Sequence, residues 1–256
     1  MRFYVSSDIE GMSGYGHPAL SDEEIQLAHM AAVSRGLMDG GAEGVTLTSF
    51  HGIPQGLPPY VTPIRTRGPG EFDLPQFSGE YAGLVLLGFH GVWPGCYGHC
   101  YKFTHLRLNG RVCGEVTIQM MLAADAGVPT VLMAGDDRAI AEARWVVPDL
   151  PAVRTRWARF GDDGPLDPAV MERIRRAAAQ CAAHKMRPVK APAVLTLEVP
   201  FRTDLPAEYA AQLPYQVIRH GLCVTRRSER FAEIYAFLLD CFDCVTRARK
   251  VEQGNP

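Results

Sequence analysis

The sequence has little net charge, no long apolar run and no repeated or low-complexity tract. A formal net charge of −2 offers no field that would draw nucleic acid or an anionic membrane. Its arginine-rich pieces, Arg175-Arg176, Arg226-Arg227 and Arg247 to Lys250, lie on or beside segments that read as helical, where such charges form a solvated face. No stretch approaches the ~20 apolar residues that a membrane span needs. The chain enters a strand almost at once, without the apolar core and small-residue cleavage site of an export signal, so a cytoplasmic protein is expected. Seven cysteines, an odd number scattered through such a chain, argue against a disulfide framework and for reduced thiols. Cys241-Phe242-Asp243-Cys244 has the spacing of a metal pair but lies inside a helical segment with no second pair, and reads as core thiols. Neither nucleic acid nor a membrane is expected as a partner.

What is present is enough apolar material for a large core: 47% of 256 residues, long enough for one domain with an appendage. Residues 1–7 read as a first strand. Ser21-Asp22-Glu23-Glu24 forms a capping box that starts a helix running to about Asp39, stopped at Gly40-Gly41. Val45 to Thr48, Leu84 to Phe89 and Thr130 to Ala134 read as further strands of buried type, and a helix spans Glu115 to Ala126. The stretch from Pro58 to Phe77, with five prolines, reads as a surface loop close to the site. Beyond Pro148 the pattern changes to a helix over 169–183, a strand over 194–199, a short helix over 207–213 and an amphipathic closing helix over 229–249. The expected fold class is α/β, a largely parallel sheet flanked by helices. Residues 1–148 form a metal-binding core in this reading, and 149–256 a smaller C-terminal α+β portion.

Five side chains able to hold a metal sit at or just beyond strand ends or at a helix start: Asp8, Glu10, His51, His90 and Glu115. In an open α/β sheet, ligands gather beyond the carboxyl ends of the strands. Each residue has an ordinary structural reading. Asp-x-Glu after a strand is often a capped turn, a histidine ending an apolar run is often hydrogen-bonded structure, and a carboxylate at a helix start answers the helix dipole. Their joint placement is what points to a metal. Hard carboxylate oxygens with borderline imidazoles suit zinc first, with manganese or cobalt as alternatives. Asp8, nearest its strand end, is the candidate bridge between two ions, an arrangement that polarises a carbonyl and holds a hydroxide. His99 and His105 lie in the loop before Glu115. His99, in the Gly-rich run Pro94 to His99, is the candidate acid-base group or nucleophile, whereas His105 alternates with apolar residues and lines a strand.

Taken together, Ser7-Asp8-Ile9-Glu10-Gly11-Met12-Ser13-Gly14, Leu87-Gly88-Phe89-His90, Pro94-Gly95 with His99, Asn109-Gly110 with Gly114-Glu115, and Met133 to Arg138 resemble the DppA-type D-aminopeptidases. The resemblance covers residues 1 to about 140 in consistent order. It implies a zinc exopeptidase with a dinuclear site held by Asp8, Glu10, His51, His90 and Glu115, and His99 as the catalytic histidine. It further implies a self-compartmentalising homo-oligomer, in the best-known case a decamer of stacked pentamers. The chain departs from the family at Thr48-Ser49-Phe50, where Asn-Asp-Ser is usual: a carboxylate is lost and an aromatic wall gained. The loops over 14–21 and between His90 and His99 are also shortened. The expected substrate is a small peptide. A second reading is an amidase for a specialised or L-configured amide, with Phe50 and Trp93 binding a bulkier acyl group. A third, of another class, is a non-catalytic metal-binding assembly subunit.

Overall fold

The computed structural model describes residues 1–65, 73–92, 103–158, 164–184, 186–188 and 192–254. In chain order the elements begin with β1 (Arg2–Ser7), α1 (Asp22–Asp39), β2 (Gly44–Ser49), β3 (Val61–Pro63) and β4 (Gly83–Phe89). Next come β5 (Leu106–Leu108), β6 (Arg111–Cys113), α2 (Glu115–Asp125), β7 (Thr130–Asp136), α3 (Asp137–Val146), β8 (Ala152–Arg156) and α4 (Pro168–Ala183). The chain closes with β9 (Leu195–Pro200), α5 (Asp204–Ala211), β10 (Val217–His220), β11 (Cys223–Ser228) and α6 (Phe231–Glu252).

Two compact units share these elements: Met1–Gly91 with Ala126–Val189, and Val92–Asp125 with Lys190–Pro256. The sheet of the first has the order β3-β2-β1-β4-β7-β8, with every neighbouring pair parallel. Its central strands are apolar on both faces, and β4 and β7 are buried along their whole length, as a sheet covered by helices on both sides requires. The parallel sheet matches the expected fold class, but the division of the chain differs from the expected boundary at 148. The chain leaves the first unit after β4, returns for β7, and only after residue 148 supplies β8 and α4 to the parallel sheet and its helical layer. Part of the segment read as a loop, from Pro58 to Phe77, is β3, which pairs with β2.

Helix α1 starts as its sequence dictates. The Glu24 amide donates to Ser21 Oγ at 3.3 Å and the Ser21 amide to Glu24 Oε2 at 2.8 Å, so two end amides are satisfied reciprocally. On its far half, Gly36 and Gly40 face α4: a methyl at Gly36 would overlap the Arg175 carbonyl, and one at Gly40 the Ala179 carbonyl. The two helices therefore pack backbone to backbone, and Ile25, Val33 and Leu37 enter one cluster with Ile174 and Ala178.

The second unit holds an antiparallel sheet, β10-β11-β9-β5-β6. Strand β9 alternates buried and half-buried residues, the period-2 pattern of a sheet with one covered face. Leu195, Leu197 and Val199 point to the side where Phe231, Phe237 and Leu238 of α6 are buried. Cys241 and Cys244 lie in α6, both buried. Among the described residues no helix is long and apolar enough to cross a membrane.

Candidate metal centre

The parallel arrangement puts the carboxyl ends of β1, β2, β4 and β7 along one edge, and four of the expected ligands follow from that. Asp8 and Glu10 come one and three residues after β1, His51 two after β2 and His90 one after β4. Glycines let these ends close on one another. Gly88 sits at φ +75°, beside a register shift in β4, and a side chain there would strike the Asp8 carbonyl and Met12. Gly11 has no room for a methyl against the Phe89 carbonyl, and Gly135 faces the same oxygen. The Asp8 amide donates to Leu87 O at 2.9 Å and the Gly11 amide to Gly88 O at 2.8 Å, so the turn after β1 folds back over the end of β4.

Asp8, Glu10 and His51 form a group whose ligand atoms all lie within 4.8 Å of one another. His51 Nε2 is 3.1 Å from Asp8 Oδ1 and 3.1 Å from Glu10 Oε2. One ring nitrogen carries at most one proton and cannot serve both carboxylates. Glu10 Oε2 is in fact buried without a hydrogen bond, a costly state for a carboxylate oxygen unless a cation completes it. His90 Nε2 lies 3.8 Å from Asp8 Oδ2. Its Nδ1 is 2.8 Å from Gly91 O; a carbonyl only accepts, so Nδ1 carries the proton and Nε2 turns a lone pair toward Asp8, the orientation usual for metal-bound histidines. Each oxygen of Asp8 thus faces a different imidazole.

Protonation reflects the same crowding. Burial pushes the Asp8 carboxyl up to about 7, with the neighbouring Glu10 adding to the rise. Glu10 is also desolvated, yet its contacts with His51 and Asp8 hold it well below the usual carboxylate range. The close carboxylates of Asp8 and then Glu10 favour the protonated ring and raise His51 to about 10. Protons gather where a divalent cation would remove the repulsion, and two carboxylates with two neutral-capable imidazoles are the donor set that zinc takes.

Outlying side chains hold the turn over residues 8–15. Thr155 of β8 donates to the Gly11 carbonyl, and Arg156 Nη1 reaches the carbonyls of Glu10 at 3.3 Å and Tyr15 at 3.1 Å. From α1, the fully buried His29 accepts the Ser13 amide on Nε2 at 3.2 Å and donates from Nδ1 to Ile25 O at 2.8 Å. The His51 side is tied through Ser49, whose hydroxyl donates to Gln26 Oε1 at 2.9 Å and accepts the His51 amide at 3.2 Å. Asp136, to which the sequence assigned no role, is 4% exposed; it caps α3 at the Ala139 amide and also accepts the Gly91 amide at 3.0 Å, fixing the backbone beside His90. The local signal for it was an N-cap aspartate; its bond to Gly91 spans 45 positions and has no local signature.

Glu115 is the first residue of α2 in the second unit and is half-buried. Phe50 is half-buried, with its ring edge-on to Phe89 at 6.0 Å. His105 directly precedes β5 and is not part of it. His99, the expected catalytic group, and Trp93 lie outside the described residues, as do Cys96 and Cys100.

Comparison with known proteins places these observations. The profile of a family described as D-aminopeptidase matches residues 1–239. A Bacillus subtilis (strain 168) D-aminopeptidase is 28% identical over 169 residues, which make up 62% of this chain and 61% of that protein, so the aligned part spans under two thirds of the relative. The solved structure of a Bacillus subtilis zinc-dependent D-aminopeptidase, described as a self-compartmentalizing protease, superposes with a TM-score of 0.77. That superposition covers 96% of this chain and 98% of the other at 20% identity, a likeness of fold.

Proposed function

The chain belongs to the D-aminopeptidase family, and from that premise we propose that it is a metal-dependent aminopeptidase releasing residues from small peptides. The observation that carries this reading is the meeting of Asp8, Glu10, His51 and His90 at one sheet edge, with a buried Glu10 oxygen left without a hydrogen bond. Zinc is the proposed metal, with two ions per site. Asp8, whose two oxygens face different imidazoles, would hold the metal with Glu10, His51 and His90, and Glu115 is assigned to the set by the family pattern. Bound there, zinc supplies Lewis acidity that polarises a carbonyl and lowers the pKa of water.

The chain's own residues do the rest in this reading. The Gly91 carbonyl keeps the proton on His90 Nδ1, so Nε2 stays a ligand. Asp8 and Glu10 also give the substrate's terminal ammonium an anionic wall. His99 acts as nucleophile or as the acid-base group that carries a proton to the leaving amine. The aromatic ring of Phe50, which stands where the family has a small polar residue, supports the second reading, an amidase with a bulkier acyl pocket that includes Trp93. A cytoplasmic location and a ring-shaped homo-oligomer belong to the same proposal; light scattering reads the assembly directly.

The test is metal content and hydrolysis measured on one purified sample, against D- and L-aminoacyl amides, dipeptides and non-peptide amides. Two zinc ions per chain, hydrolysis removed by chelator and restored by metal, and near-complete loss in His99→Ala are expected. A fully metal-loaded protein that cleaves no member of the panel overturns the enzymatic reading. A ranking led by non-peptide amides replaces the peptidase reading with the amidase.

A further inference from the structure

A polar cavity of about 210 Å³ lies in the first unit against the turn that carries the metal ligands. Ser13 and Gly14 form one wall, and Arg154, Arg156 and Trp157 at the end of β8 another; Arg173 of α4 closes it with Asp167. That volume is about seven times the ~30 Å³ that one water occupies in the liquid, room for a molecule of amino-acid to dipeptide size.

Among the described residues that line it, three arginines accompany one carboxylate, and that carboxylate is already engaged, since Asp167 Oδ1 accepts the Ala169 amide at 2.8 Å as the cap of α4. Among the described residues neither Arg154 nor Arg173 is ion-paired with a carboxylate. Arg173 Nη2 donates to the Arg154 carbonyl at 3.5 Å, while the centre of the Arg154 guanidinium sits over the Trp157 ring, 3.5 Å from its centroid. Other arginines of α4 behave differently: Arg175 is paired with Asp39 at 2.8 Å and Arg176 with Glu172 at 2.7 Å. Helix α4 thus pairs Arg175 and Arg176 with carboxylates, while Arg173, which lines the cavity, has none among the described residues. A guanidinium without a carboxylate partner is a planar fork that can recognise a carboxylate in bidentate fashion.

We propose that this cavity is a binding site for the carboxylate of a small molecule, held by Arg154 and Arg173 with the ligand's body against Trp157. Arg156 is shared between this cavity and the metal turn, because its guanidinium bonds the Glu10 carbonyl; a bound carboxylate would bear on the backbone of a metal ligand. Two sources offer the same group: the free C-terminus of a peptide substrate, and a free amino acid acting on the turn as an effector. Only the assignment to a substrate rests on the aminopeptidase reading.

The probe is alanyl-alanine, with its C-terminal amide as the uncharged control and acetate as the minimal anion, titrated against Trp157 fluorescence. Trp145→Phe and Trp93→Phe in the background isolate the signal from the other two tryptophans. A saturable change with alanyl-alanine, absent with the amide and lost in both Arg154→Gln and Arg173→Gln, is expected. A wild type without a saturable response, or one that persists unchanged in the two variants, overturns the site. Circular dichroism and melting temperature establish that each variant is folded; if one is not, salt competition on the wild type replaces it, because a bound carboxylate must weaken with ionic strength and a purely apolar contact must not.

Kinetics separate the sources. For a substrate terminus, Arg173→Gln raises KM for the dipeptide about tenfold and leaves the amide substrate unchanged. For an effector, free alanine alters hydrolysis of the amide substrate in the wild type but not in Arg173→Gln. If fluorescence responds as expected while no substrate is turned over, the aminopeptidase reading fails and the carboxylate site stands.

Discussion

The parallel and antiparallel sheets of this protein use their residues in opposite ways. In the first unit β4 and β7 are buried from end to end, and the polar side chains of these two strands stand only at their ends, so the candidate ligands collect where strands stop. In the second unit β9 alternates, polar side chains are spread along an open face, and no described group of three metal-capable residues is confined to that unit. The difference teaches where to look: a strand covered on both faces concentrates function at its carboxyl end, and a strand covered on one face disperses it.

Substitutions of similar size in the two sheets test this most strongly. Replacing His51 by alanine should remove a ligand and lower hydrolysis by more than the ~100-fold that loss of a supporting residue costs, with metal content falling in parallel. Leu197→Ala, fully buried in β9, should cost about 2–5 kcal/mol of stability and leave metal content per folded chain unchanged. Metal analysis and denaturant melts on both variants decide it; a Leu197→Ala protein that folds yet loses metal would break the comparison.

Gly88→Ala sharpens the point, because it changes backbone room and no ligand. The methyl would meet the Asp8 carbonyl and Met12 at a positive φ, so about 1–3 kcal/mol of overpacking cost should come with weakened metal binding. Gly110, which also has positive φ but nothing within 4 Å of an added methyl, should cost less and leave the metal in place. Asp136→Asn comes next. It keeps the shape but weakens the cap of α3 and the hold on the Gly91 amide, and metal affinity should fall about 10–100-fold by chelator competition.

Much of the parallel unit was legible because its physics is local. Continuous apolar runs gave β1, β2, β4 and β7, the Ser21–Glu24 box gave the start of α1, and ligand-type residues just past those runs gave Asp8, His51 and His90. What escaped notice depends on distant partners or on short length. Strand β3 has three residues and ends in Pro63, so it has no periodicity to read. Strand β8, Ala-Val-Arg-Thr-Arg, alternates like an exposed strand because it lies at the edge of the parallel sheet. Its membership there, with that of α4, misplaces a boundary drawn where composition changes. The support given by Thr155, His29 and Asp136 comes from contacts across 144, 16 and 45 positions, which no motif spacing records.

The gentlest probe of the same edge is pH. His29 is fully buried, and burial lowers its pKa from 6.5 to about 4, so the folded protein keeps it neutral where the unfolded chain has taken up a proton. Between those values the unfolded state binds more protons. Its contribution to stability is therefore complete above about 6.5 and lost as pH falls toward 4, by about 1.4 kcal/mol per unit. Asp8, raised to about 7, acts in the opposite sense in the metal-free protein, since there the folded state holds the extra proton and stability declines as pH rises toward 7. The two contributions overlap, and a single stability curve would blend them. His29→Gln separates them: its amide can still accept from Ser13 and donate to Ile25, but it does not titrate. The difference between wild-type and variant unfolding free energies, measured in denaturant at pH 5, 6 and 7, should shrink as pH falls, and nearly all of the change should come below 6.5. A difference that stays constant over that range would mean that His29 takes up its proton alike in the folded and unfolded protein, and that Ser13, with the turn it belongs to, is held by something else.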